Sequence, residues 1–165
     1  MNGKNVLRLA ASLLMIGSIH AHATKIGPAG SPFSATGTMV MRASGAAPTC
    51  NVTLSGVVLP DGSQAVINSV SVSGGLLCGN AKVKGLPWSI QAISPWSAFI
   101  NGVAFDVPPF SRCGPATVNA QWNNNTNTLS VVRQPLGGNC TMETLSISPN
   151  PAFIFSDNVP AAATP

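Results

Sequence analysis

What most restricts this chain is a two-residue rhythm of apolar side chains that recurs in short stretches and is repeatedly cut by glycine, proline and asparagine. Phe33, Ala35, Gly37, Met39 and Met41 fall on one face of a run, and Cys50, Val52 and Leu54 alternate with Asn51 and Thr53. Val66, Val70 and Val72 repeat the rhythm, as do Val118, Ala120 and Trp122, then Leu129 and Val131. Successive side chains of a strand point to opposite faces, so this spacing is that of half-buried β-strands. From residue 24 onward no window of helical length carries apolar residues at i, i+3, i+4 and i+7. Without crossover helices to join parallel strands, an antiparallel arrangement is expected. The fold class is all-β, an antiparallel β-sandwich or barrel-like domain of about 8–10 short strands.

Turn chemistry divides the strands. Pro60-Asp61-Gly62 is a turn in which proline sets φ and glycine accepts a positive one. Asn101-Gly102, flanked by Phe99-Ile100 and Val103-Ala104-Phe105, reads as a tight hairpin. Leu86-Pro87-Trp88 leads into a strand through Ile90 and Ala92, and Asn123 to Asn127 makes a polar turn. Cys140, Met142 and Leu145 to Ile147 form a further strand, and Phe153 to Phe155 a last one.

The N-terminus carries an export pattern. Lys4 and Arg8 precede an apolar run from Leu9 to Ile19, and Ala21-His22-Ala23 supplies a small-x-small cleavage site. The run is shorter than the roughly 20 residues that cross a bilayer, and no later stretch reaches that length. The expected organisation is therefore a signal peptide (1–23), an exposed leader (24–32), a single β domain (33–156) and a mobile C-terminal tail (157–165). The expected location is extracellular, with the periplasm in transit, and without a transmembrane segment after cleavage.

Cleavage would also change the available chemistry. His20 and His22 leave with the signal, and the remainder has neither histidine nor tyrosine. It keeps six bases (Lys25, Arg42, Lys82, Lys84, Arg112, Arg133) against four acids (Asp61, Asp106, Glu143, Asp157), a net charge of +2. No basic cluster tracks a phosphate backbone, so nucleic acid is not an expected partner. A serine triad lacks its general base, and the carboxylates are scattered along the chain. No catalytic residue, metal ligand or cofactor is expected, and the chain is not read as an enzyme. Cys50, Cys78, Cys113 and Cys140 form an even set suited to disulfides. Four cysteines allow three connectivities. The near-equal intervals of 28 and 27 residues favour Cys50–Cys78 and Cys113–Cys140.

The aromatic residues concentrate between 88 and 122. Most are expected in the core. Trp88, Trp96, Phe99 and Phe110 are the candidates for an exposed apolar surface, Trp96 because it follows Pro95 in a bend and Phe110 because it follows Pro108-Pro109.

Several segments carry a family resemblance. They are Gly85-Leu86-Pro87-Trp88, the run from Cys113-Gly114-Pro115 through Gln121-Trp122-Asn123-Asn124, and Gly138-Asn139-Cys140-Thr141. With the signal pattern and the four cysteines, they resemble the secreted protein activators of alkane oxidation (the PraB type) of pseudomonads, over about Phe33 to Phe155. The resemblance implies a secreted, non-catalytic, surface-active protein assisting alkane assimilation at the cell–oil interface, its partner a hydrocarbon droplet or the cell surface. The alternative is an extracellular fibre, biofilm-matrix or adhesin subunit that self-associates by β-strand addition, to which the low net charge lends itself. A third reading is a carbohydrate-binding module using Trp88 or Trp96.

Overall fold

Period-two alternation becomes a closed wall of strands. The computed structural model describes residues 23–108 and 111–162. The expected signal peptide up to residue 22, Phe110 and residues 163–165 lie outside these. Eleven strands and one helical turn follow in order: β1 (Lys25–Gly27), β2 (Pro32–Ala43), β3 (Thr49–Val58), β4 (Ala65–Ser73), α1 (Leu76–Gly79), β5 (Lys82–Lys84), β6 (Trp88–Ser94), β7 (Ser97–Val107), β8 (Ser111–Asn123), β9 (Thr128–Gly137), β10 (Cys140–Asn150) and β11 (Ile154–Ser156). The protein is all-β. Strands β2, β3, β4, β6, β7, β8, β9 and β10 each pair antiparallel with the next, and β10 returns to β2. The result is an eight-stranded up-and-down barrel, which leaves no free sheet edge where the ladders are complete. β5 continues the line of β6 along the far half of β7, with Lys82 opposite Asp106. β1 and β11 form a separate two-stranded ribbon.

The two ends of the barrel differ. One, the rim, carries the 44–48 loop, the 74–81 segment with α1, the end of β7, the start of β8 and the Gly138–Asn139 turn. The other, the base, carries the Pro60-Asp61-Gly62 turn, the Pro95-Trp96 turn, the 124–127 turn and the β1–β11 ribbon. Inside, the faces read from the alternation meet as one core. Met39, Ile67, Trp88, Phe105 and Met142 are among its buried members. Barrels of this topology enclose a ligand in some proteins, but here the remaining space amid Met39, Trp88 and Phe105 is about 20 Å³. A small-molecule pocket is roughly 300–1,000 Å³. Among the described residues, that part of the barrel interior is filled by side chains.

Both expected disulfides form, Cys50–Cys78 and Cys113–Cys140, each with Cα atoms 5.5 Å apart. Both lie at the rim. The first ties α1 to the start of β3, and the second ties the start of β8 to the start of β10 across the end of β9. At the base, ring packing replaces covalent links. Trp122 stacks on Phe155 with centroids 4.7 Å apart, and Phe153 meets Phe33 edge-on at 4.9 Å.

Three expectations are corrected. Asn101-Gly102 is not a hairpin: β7 runs through it, and the register slips between Ile100 and Val103. Gly102 takes φ 83° there, so the turn-forming pair makes a bulge that moves the inward set from Ala98 and Ile100 to Val103 and Phe105. Val66 does not share a face with Val70 and Val72, because a slip between Ser55 and Gly56 of β3 puts Ala65 and Ile67 inside instead. The segment 24–32 is not an exposed leader. Ile26 is fully buried, its N–H donates to the Gly62 carbonyl at 2.7 Å, and Thr24 donates to Asp157 at 2.7 Å. The described part of the tail is docked as well, through the Ala162 N–H to the Pro60 carbonyl at 2.8 Å.

Candidate functional surface

The ionisable groups are dispersed and largely occupied. Asp61 accepts the backbone N–H and hydroxyl of Ser63, at 3.0 and 2.8 Å, which hold its carboxyl below the usual range. Glu143 sits between Arg42 at 2.7 Å and Arg133 at 3.4 Å, and the Arg42 hydrogen bond is the main cause of its lowered pKa. Asp106 meets Lys84 at 3.4 Å. All four cysteines are bonded, and no group of three metal-ligating side chains occurs among the described residues. Nor is any helix among them long and apolar enough to cross a membrane.

What stands out is a groove of about 350 Å³ on the outer wall of β6 to β9. Its larger apolar members are Ile93, Phe99 and Val132, beside Ala98 and Ala120, and its polar ones include Asn119, Gln121 and Gln134. It forms where the β8–β9 ladder opens. These strands pair from Asn123↔Thr128, next to their turn, to Gln121↔Ser130, and then separate toward the rim. Beyond that point the Asn119 N–H is taken by the side chain of Gln134 at 3.2 Å, and the Asn119 amide donates to the same oxygen at 3.1 Å. The carboxamides thus satisfy one another and leave the aliphatic groups facing water. Trp96, in the adjoining turn, is 69% exposed and Val132 70%.

The four aromatic candidates separate. Trp96 is at the surface, and Phe99 is half-buried in the groove. Phe110 lies outside the described residues. Trp88 is corrected from surface to core: it is 4% exposed, packs edge-on against Phe105 at 5.2 Å, and donates its indole N–H to the Lys84 carbonyl at 2.8 Å. Reading the sequence missed Ile93 and Val132. Their signal was the doubled apolar pairs Ala92-Ile93 and Val131-Val132, since two neighbours on a strand cannot both face inward. Ile93 is also the extra residue of a bulge between Ala92 and Ser94. Leu76 and Leu77, exposed on α1, were missed too.

The Trp-Asn-Asn turn has a structural role. Asn124 accepts the Trp122 indole N–H at 2.7 Å and the Phe155 N–H at 3.0 Å, and donates to the Phe155 and Pro95 carbonyls. Asn127 accepts the Phe153 N–H at 3.0 Å and donates to the Pro149 carbonyl at 2.7 Å. Together they clip the C-terminal segment across the base.

A family model described as alkane oxidation protein activator PraA/PraB-like matches residues 2–156. The chain belongs to that family. No curated protein and no solved structure matches it. The PraA/PraB-like description is of an activator, which is compatible with a non-catalytic role. The segments that carry the family resemblance map onto the scaffold. Trp88 packs in the core, Asn124 clips the base, and Cys113 and Cys140 staple the rim.

Proposed function

We propose that this member of the PraA/PraB-like family is a secreted, non-catalytic, surface-active protein that assists alkane assimilation where cells meet oil. The observation that carries this reading is the outer-wall set Ile93, Trp96, Phe99 and Val132, on a barrel whose interior space amid Met39, Trp88 and Phe105 is only about 20 Å³. An alkane would be met on the outside of the wall, not carried within it. Exposed apolar side chains gain by leaving water for oil, at about 25 cal/mol per Å². The surrounding carboxamides keep the rest of the wall hydrated. The N-terminal signal pattern and the two disulfides support an extracellular setting.

The test is interfacial tension at a hexadecane–water boundary, with oxidised, size-fractionated monomer beside an inert protein of similar mass. A drop beyond the control, weakened in Trp96→Ser/Val132→Ser, is the expected result. A response equal to the control overturns the reading.

One observation favours the second reading, assembly by strand addition. β6 pairs with β4 only from Ala65↔Ile90 to Ile67↔Trp88, and residues 68–73 of β4 have no ladder partner on that side among the described residues, although β5 passes close to β4. Such an edge is a template for another chain. Polymers abolished by Ser71→Pro would select this reading.

A further inference from the structure

Charge is divided between the two ends. Among the described residues, Arg42, Lys82, Lys84, Arg112 and Arg133 lie in the rim-side half with two acids, Asp106 and Glu143. The base holds Lys25 with Asp61 and Asp157. A modest net charge thus conceals a cationic rim and a mildly anionic base. Arg42 is the penultimate residue of β2, Lys82 opens β5, and Arg112 is second in β8, so all three exposed cations stand at the rim ends of their strands. Asp106 lies in register between Lys82 and Arg112, but its carboxylate meets Lys84. Neither Lys82 nor Arg112 forms an ion pair among the described residues.

Within this collar stand exposed apolar side chains. Leu76 is 83% exposed and Leu77 44%. The facing loop is Ser44-Gly45-Ala46-Ala47-Pro48, with no charged side chain. Leu77 borders an apolar depression of about 40 Å³ floored by Met39, Met41 and Val107. Cys78, the next residue, is tied to Cys50, which fixes α1 against the wall and keeps the leucines presented.

Projecting aliphatic side chains ringed by cations match the layered chemistry of a lipid surface, with acyl chains below and anionic headgroups above. We infer that the rim docks on a lipid surface bearing anionic headgroups, leucines inward and collar at headgroup level. This goes beyond the proposed oil contact, which uses the side wall. Docked by the rim, the molecule would leave Trp96 and the wall groove free, so that one protein could hold a droplet against an envelope. Each basic residue near such a surface contributes about 1 kcal/mol, roughly a fivefold change in binding.

The test is binding of the oxidised protein, at low salt, to vesicles of phosphatidylcholine alone and of phosphatidylcholine mixed with phosphatidylglycerol. Binding at least about tenfold tighter to the mixed vesicles is expected, falling by more than about tenfold in Lys82→Glu/Arg112→Glu. Leu76→Ser/Leu77→Ser should weaken it as well. Thermal melting and intact disulfides confirm that these exposed substitutions leave the barrel folded. Equal affinity for the two vesicles overturns the inference, as does indifference to the rim substitutions. Loss on charge reversal alone, with the leucine variant unchanged, overturns the lipid assignment and selects an acidic polymer. Hexadecane tension reads the wall and contains no headgroup, so failure there would sink the oil reading while leaving this one standing.

Discussion

The rim and the base close the same barrel by opposite means. At the rim the loops are short of bulk: the 44–48 loop is made of serine, glycine, alanine and proline, and α1 turns both its leucines outward. Of their own side chains these loops bury Cys78, and two disulfides hold the shape. The base has no covalent link. It is held by the rings of Phe33, Trp122, Phe153 and Phe155 and by the carboxamides of Asn124 and Asn127. An end that must keep apolar groups exposed cannot also use them to hold itself together. An end with aromatic residues to bury has no need of cysteine.

The comparison makes unequal predictions. The largest effect is expected at the base, where Phe155→Ala would remove a fully buried ring from the Trp122 stack and cost about 3–5 kcal/mol. Chemical denaturation should show a lower midpoint, and amide exchange should rise across the whole barrel. Replacing Cys50 and Cys78 by serine should cost less, about 2–4 kcal/mol. Its signature should be local, with amide exchange rising in residues 74–81 while the β2–β10 ladder stays protected. If the disulfide variant loosened the base as much as the rim, the division of labour described here would be wrong. The smallest effect is on pH. Asp61 at the base and Glu143 on the upper wall both have lowered carboxyl pKa values in the folded state. Their contribution is therefore present above the unfolded-state values, near about pH 4, and is lost as pH falls through the folded ones. Asp61 is exposed and Glu143 is half-buried at the surface, where solvent screens its ion pairs, so the melting temperature should slip only slightly on acidification, and Arg42→Ala should flatten the part due to Glu143.

Much of this was legible in the sequence where the determinant was local. The inward face of β2 follows from alternation alone, the Asn123–Asn127 turn from its polar run, and the disulfide pairing from equal intervals. Asn101-Gly102 misled because a tight turn and a bulge ask the same thing of glycine, a positive φ. Whether the chain then reverses depends on β6 and β8 flanking it on both sides, which is a non-local matter. Trp88 and Ile26 were misplaced for a related reason. Their burial comes from partners far along the chain, Phe105 for the first and the Gly62 turn for the second. The wall groove was only half visible, because the opening of the β8–β9 ladder depends on Gln134 reaching Asn119.

The hydrogen bond between Thr24 and Asp157 joins the two ends of the described chain. Since every barrel strand is also next to its sequence neighbour, the topology is a ring with an arbitrary starting point. The ends could be spliced at the base and the chain reopened in the exposed Gly138–Asn139 turn, giving a permuted protein with all eight barrel ladders available to it. In the natural order, the β10–β2 ladder is the clasp. It brings together segments about a hundred residues apart, as Arg42 and Glu143 are, so the barrel gains its last wall only after nearly the whole chain has been laid down.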